Sequence, residues 1–374
     1  CKDLGRNGQS PTITPKATYT PVSNRAGSRS LTTRKAGDLF MYHAATDRYA
    51  KMPVRHAGKT GLMLPAISLG LWQHYGNLDP FDSRRSVILD AFDHGVFHFD
   101  VANHYGNGDV DPGYGSSETL LGQILATDLK DYRDELVIST KVGYEIHPGP
   151  YGIGTSRKAV IQGLNDSLKR LRLDYVDIYY AHRFDDTVAL EETVNALDQT
   201  VRDGKALYIG ISNYDTEQTK EAIAMFKDLH TPFVLNQFSY NMFNREAETS
   251  GLTDALKANG AGLIAYGPLS EGLLSDRYLN GIPDSFQIHR TNKGTFAKGK
   301  DAVVKKLNDL NEIAQGRGQT LSQMALAWLL RDPVVTSVII GTTSVEHLED
   351  NLKATEHLTF TAEEVQQIDD ILNA

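Results

Sequence analysis

YVDIYYAHRFDDTVALEETVNALDQTVRDGKALYIGIS, residues 175–212, decides the fold. It opens on a β-branched and aromatic run, YVDIYYAH (175–182). A helical stretch over 191–202 follows and stops before Gly204, where a left-handed residue commonly closes a helix. The chain then returns to a second apolar run, ALYIGIS (206–212). Two strands joined through a helix form the βαβ unit of a parallel sheet, since parallel neighbours need a crossover that a tight turn cannot make.

The same alternation recurs on both sides. Upstream stand LPAISLGLW (64–72), VFHFDVA (96–102) and LVISTKV (136–142); downstream stand FVLNQFSY (233–240), GLIAYGPL (262–269) and SVIIGT (337–342). Helix punctuation fills the gaps: Asp82 and Ser83 open a helix that ends at Gly95, Ser156 and Asp215 stand where N-caps belong, and the pattern over 254–259 stops before Gly260. Eight such strands with helices between them predict an α/β fold, a (β/α)8 TIM barrel. MPVRHAGKTGLMLP (52–65) reads as an N-terminal β-hairpin closing its bottom, and two helical patterns within 270–336 as extra C-terminal helices. The competitor is an open doubly wound sheet, which binds dinucleotides through a Gly-x-Gly-x-x-Gly turn after its first strand. Gly113-Tyr114-Gly115 and Gly152-Ile153-Gly154 lack the third glycine and follow no suitable strand.

Composition bounds the function. With 374 residues, 40% hydrophobic, one barrel domain over 41–374 is the expectation. The net charge of −9 offers no cationic field for nucleic acid or anionic lipid. Cys1 is the single cysteine, so no disulfide pair or thiolate metal cluster is expected, and no apolar stretch is long enough to span a bilayer. A cytoplasmic protein is the simplest reading, with homo-oligomerisation left open. Residues 1–40 differ: they are rich in Ser, Thr and Pro and carry seven Lys or Arg against two Asp. They read as a disordered or non-native leader ahead of Met41, with a transit peptide as the alternative.

In a barrel of this kind, chemistry gathers at the C-terminal ends of the strands. Asp100 ends the second run, Tyr105 follows it, Lys141 ends the third and His182 ends the fourth. Any one alone reads more readily as structural. Together they form an acid–base set. Tyr105 is a weak acid, and the Lys141 ammonium is expected to lower its pKa toward neutrality. Asp100 would hold Lys141, and a neutral His182 would hydrogen-bond a carbonyl oxygen. A metal-dependent hydrolase needs more His and carboxylate ligands than His182 and Asp100 supply, so no metal is expected.

With these residues in order, the chain resembles the aldo-keto reductase superfamily from about Tyr49 to its C-terminus. FDVANHYG (99–106), STKVGY (139–144), SLKRLRLDYVDIYYAHR (167–183) and IGISNY (209–214) carry the resemblance, with Asp100, Tyr105, Lys141 and His182 as the implied catalytic tetrad. HPGPYGIGTSRK (147–158) and LSEGLLSDRYLNGIP (269–283) are similar to the branch that contains potassium-channel β subunits and, closer, bacterial L-glyceraldehyde 3-phosphate reductases. The resemblance implies NADPH-dependent reduction of a small aldehyde. It implies Ser212, Asn213 and Gln237 on the nicotinamide carboxamide and Tyr266 stacked on its ring. Gly267, Pro268, Leu269, Gly272 and Arg277 fall at the pyrophosphate, and Thr343, His347, Asp350 and Asn351 at the adenosine. His347, Asp350 and Phe286 depart from the family's usual residues, leaving Arg277, Arg290 or Lys293 to meet a 2′-phosphate.

For the substrate, Trp72, His74 and Tyr75 after the first strand suggest an aromatic wall, with an ordinary packed rim as the alternative for His74, and Arg183 or Arg245 a partner for a substrate phosphate, with a surface ion pair as the alternative for either. The loop after Tyr105, GNGDVDPGYGSSE, is longer than in the relatives it resembles. A cofactor-sensing regulatory subunit, in which turnover is incidental, is the competing function.

Overall fold

Ten strands and eleven α-helices make up the computed structural model, which describes residues 42–107, 113–287 and 293–374. The expected leader over 1–40, loop positions 108–112 and Arg290 lie outside the described residues. The chain enters through a hairpin of β1 (Val54–His56) and β2 (Met63–Pro65). The barrel follows: β3 (Ile67–Gly70), β4 (His98–Asp100), β5 (Val137–Val142), β6 (Val176–Ala181), β7 (Ala206–Ser212), β8 (Phe233–Ser239), β9 (Gly262–Tyr266) and β10 (Val335–Ile340). The helices are α1 (Phe81–Asp93), α2 (Ser116–Thr127), α3 (Arg157–Leu171), α4 (Leu190–Arg202), α5 (Thr216–Asp228), α6 (Glu246–Thr249), α7 (Leu252–Asn259), α8 (Lys300–Gly316), α9 (Leu321–Leu330), α10 (Val345–Leu352) and α11 (Ala362–Asn373).

All eight barrel strands are parallel to their neighbours, and β10 pairs with β3 to close the ring. Both faces of these strands are covered, which is why β5, β6 and β10 are buried along their whole length and read as continuous apolar runs rather than alternating ones. Each expected strand is present. The run over 64–72 proves to be two elements: Met63–Pro65 pairs antiparallel with β1, and the barrel strand starts at Ile67. The break falls at Ala66, whose N–H bonds Pro53 while its carbonyl accepts from Val338.

The hairpin fits against the β8–β9 side of the barrel through Gly58, which has a φ of +57°. A Cβ there would come within 2.1 Å of the Gly260 carbonyl oxygen, so only glycine admits this approach. Local capping matches expectation at α3, where Ser156 accepts from Ala159, and at α5, where Asp215 and Gln218 form a capping box. It differs at α1. That helix starts at Phe81 behind Pro80, and Asp82 lies inside the first turn, where its charge favours the helix dipole but caps nothing. In α9 every residue except Ser322 is buried.

Candidate active site

The four residues expected at the C-terminal rim meet in the barrel mouth. Lys141, 0% exposed, donates to Asp100 Oδ2, to the Val101 carbonyl at 2.9 Å and to the Tyr105 hydroxyl at 3.2 Å. Asp100 Oδ1 accepts from Ser139 Oγ at 2.6 Å and from Gln237 Nε2 at 3.2 Å. His182 follows β6 directly, and its ring centroid is 5.6 Å from that of Tyr105.

Burial governs the electrostatics. His182 is pushed well below its ordinary pKa by desolvation, then by Lys141 and His104, so the ring is neutral. Lys141 is lowered by burial and held up by Asp100. Tyr105 departs from expectation: burial raises its pKa well above the ordinary phenol value, and Asp100, Tyr266 and Tyr144 add to the rise. The physical reason is that the Lys141 charge is paired with Asp100, so it makes up only part of the desolvation of a buried phenolate. Tyr105 therefore stays protonated at neutral pH.

Three side chains that stood out less in the sequence surround this set, His104 and Tyr144 at the mouth and Glu118 in the helix layer behind it. The His104 ring packs 4.8 Å from each of Tyr105, Tyr144 and His182, and burial lowers its pKa to about 3. Buried Glu118 accepts from Thr140 at 2.5 Å and from Arg170 at 2.6 Å, behind Lys141. Their sequence signals are slight: an aromatic beside Tyr105, a Tyr three positions after Lys141 and an acidic residue in the first turn of α2.

The expected cofactor residues line one side. Ser212 and Gln237 are paired in register on β7 and β8, and Tyr266 ends β9. Asn213, at φ +58°, donates to the His182 carbonyl at 2.9 Å and accepts from the Tyr266 hydroxyl at 2.6 Å. After β9, Gly267, Pro268, Leu269 and Gly272 form a tight turn. Gly267 and Gly272 have φ of +62° and +82°, and a Cβ on either would meet nothing within 4 Å, which leaves the backbone open to a ligand. Arg277 is exposed just beyond. On the adjoining strand, β10 leads to Thr343 and to α10, capped by Ser344, with His347 exposed and Asn351 buried. Asp350 accepts from Gln323 at 2.9 Å. Phe286 packs against Tyr278 and Phe296. Lys293 begins a short 3-10 turn.

A nicotinamide cofactor fits this donor set. Amide and hydroxyl groups at 212, 213 and 237 can meet a carboxamide, and two adjacent strand ends offer an open glycine turn and a helix N-terminus for phosphates. His182 Nδ1 and His104 Nδ1 are buried with no hydrogen-bond partner among the described residues.

The expected substrate residues separate. Trp72 is 56% exposed at the mouth side of β3, and His74 is also exposed. Arg183 is exposed with its guanidinium 5.5 Å from the Tyr144 ring centroid. Tyr75 is not part of such a wall. It is 1% exposed and donates to the Thr342 carbonyl at 2.6 Å, because the loop after β3 turns this ring inward against the end of β10. Arg84 bonds the Thr343 carbonyl beside it at 3.3 Å. Arg245 is committed to an ion-pair network, with Glu248 and with Asp369 at 2.6 Å.

Comparison with known proteins agrees with this fold. The chain is 47% identical over 336 residues to the L-glyceraldehyde 3-phosphate reductase of Escherichia coli, covering 88% of this chain and 95% of that one. It is 36% identical over 333 residues to a putative voltage-gated potassium channel subunit beta of Schizosaccharomyces pombe, covering 86% and 94%. Among solved structures, an aldo-keto reductase from Bacillus halodurans in its holo form shares the fold with a TM-score of 0.70 at 24% identity, covering 86% and 96%. Residues 66–373 match the Aldo/keto reductase family, and the chain, an oxidoreductase, belongs to that family.

Proposed function

We propose that this protein reduces a short aldehyde, of the class of L-glyceraldehyde 3-phosphate, to its alcohol with NADPH, and that Tyr105 delivers the proton. The observation that carries the reading is the Lys141 contact to the Tyr105 hydroxyl, with Asp100 behind Lys141 and a neutral His182 alongside. Bound against Ser212, Asn213, Gln237 and Tyr266, NADPH supplies a hydride. The chain's own residues do the rest. His182 donates a hydrogen bond to the carbonyl oxygen and polarises it. Lys141 donates to the Tyr105 oxygen, which turns the phenolic proton away from Lys141 and toward the substrate. The raised pKa of Tyr105 keeps that proton in place until the carbonyl oxygen becomes an alkoxide, a far stronger base than a phenolate. The ammonium then stabilises the phenolate left behind.

Substrate class is the finer part of the proposal. Support comes from the identity to the Escherichia coli reductase and from exposed Arg183 over Tyr144, a cation suited to an anionic tail. Thr343, His347, Asp350 and Asn351 take the adenosine, and Gly267, Pro268, Leu269, Gly272 and Arg277 the phosphates.

The test follows NADPH absorbance with both enantiomers of glyceraldehyde 3-phosphate and unphosphorylated aldehydes, with NADH as control. The expected outcome is turnover that falls by about 10²–10⁴-fold in Tyr105→Phe. Tight NADPH binding with turnover equal to that of Tyr105→Phe would overturn the reading in favour of a cofactor-sensing subunit.

A further inference from the structure

Beneath the mouth, a polar belt crosses four neighbouring strands. Ser337 on β10, Ser68 on β3, His98 on β4 and Ser139 on β5 are all 0% exposed. Ser337 Oγ lies 2.6 Å from Ser68 Oγ. Ser68 Oγ is 2.8 Å from His98 Nδ1, His98 Nε2 is 3.0 Å from Ser139 Oγ, and Ser139 Oγ is 2.6 Å from Asp100 Oδ1.

Counting protons fixes the direction of every bond. Asp100, paired with Lys141, only accepts, so Ser139 spends its one proton on it. Ser139 can then only accept from His98, which places a proton on Nε2. Burial lowers the His98 pKa to about 4, so the ring is neutral and its Nδ1 accepts from Ser68. Ser68, its proton spent, accepts from Ser337, whose one proton takes this 2.6 Å contact over the 3.3 Å alternative to the Ala66 carbonyl. Every donor points toward Asp100.

We propose that His98 is a positioning residue: as the Nε2–H tautomer it orders a one-way hydrogen-bond chain, Ser337–Ser68–His98–Ser139, that holds one oxygen of Asp100 and aims the other at Lys141. The proposal rests on the roles given above to Asp100, Lys141 and Tyr105, and deepens them. The belt is not a conduit for protons, since it ends at buried Ser337 and the Ala66 carbonyl without reaching solvent. Its importance grows when cofactor is bound. Gln237 is the other donor to Asp100 Oδ1, and once it turns to a carboxamide, Ser139 is the side-chain donor left on that oxygen among the described residues. The titratable groups facing the belt and its carboxylate are Lys141 on β5, Tyr105 after β4 and Tyr180 on β6, with Glu118 of α2 behind Lys141.

Two measurements on the full chain test this. The first is nitrogen NMR of 15N-histidine-labelled wild type, with His98 assigned by its loss in His98→Gln. From about pH 6 to about pH 8, His98 is expected as neutral imidazole protonated on Nε2. The second compares Ser139→Ala, His98→Leu and His98→Gln. The first two are expected to lower kcat about tenfold with KM unchanged. They should also move the alkaline limb of the kcat profile, where Lys141 loses its proton, about one unit toward lower pH, because Asp100 holds that proton less well. His98→Gln, whose amide can accept from Ser68 and donate to Ser139, is expected to restore both. A proton on Nδ1, a charged ring, or equal behaviour of His98→Leu and His98→Gln overturns the proposal. Thermal melts check folding, and if His98→Leu does not fold, the tautomer and Ser139→Ala decide. Full activity in Tyr105→Phe would instead overturn the proton-donor reading and leave the tautomer result unaffected.

Discussion

Lys141 is the residue on which the mouth is built, since its three donors are shared among Asp100, the Val101 carbonyl and Tyr105. Replacing it separates positioning from stability. Lys141→Met should lower kcat about 10²–10⁴-fold, and it should also cost about 3 kcal/mol because Asp100 stays buried without a counter-charge. Tyr105→Phe should lower kcat with little change in stability. NADPH consumption and urea unfolding of the two variants check the contrast. At this scale the sequence was legible where polar residues close several strands together, as for Asp100, Lys141 and His182, which the structure brings into one mouth. It was not legible where the answer depends on burial. The direction of the Tyr105 pKa follows from full desolvation, and the inward turn of Tyr75 from a loop path that no periodicity encodes. A lone His inside VFHFDVA looks like core packing until Ser68 and Ser139 are seen on either side of it.

Among elements, the barrel strands were legible because parallel strands covered on both faces leave continuous β-branched and aromatic runs. Their limits were less so. Nothing in the composition of 64–72 marks the switch at Ala66 from antiparallel hairpin to parallel barrel, because both partners are chosen by distant strands. The start of α1 was hidden by Asp82 and Ser83, common caps that lie two and three residues past the cap position at Pro80. The hairpin itself depends on one backbone contact. Gly58→Ala forces a Cβ against the Gly260 carbonyl at a left-handed φ, and a loss of about 2–3 kcal/mol is expected. Urea midpoints measure it, and because Gly58 is remote from the mouth, kcat should be unchanged in the folded fraction.

For the whole molecule, buried neutral imidazoles link stability to pH. His98 is pushed down to about 4, His104 to about 3 and His182 well below its ordinary value, whereas all three titrate near 6.5 when unfolded. As pH falls through 6.5 the unfolded chain takes up protons that the folded chain refuses. The stability present above that pH is therefore lost on acidification, by about 1.4 kcal/mol per histidine per pH unit, until the folded values are reached. Urea midpoints at pH 7 and pH 5 check this, and His98→Gln should reduce the slope by one proton. A flat response would show that these rings are charged or solvated in the native state.

Tyr75 in the loop after the first barrel strand and Arg84 of α1 reach across to the carbonyls of Thr342 and Thr343, at the seam where β3 meets β10. That seam joins the earliest and latest barrel segments to be synthesised. A ribosome-bound chain that has not yet released Val335 has β3 and β9 as open edges, and it lacks the turn proposed to take the adenosine. The nascent protein thus lacks part of the proposed cofactor site until the last barrel strand has been made, and until then its two unpaired edges are where a chaperone would have to act.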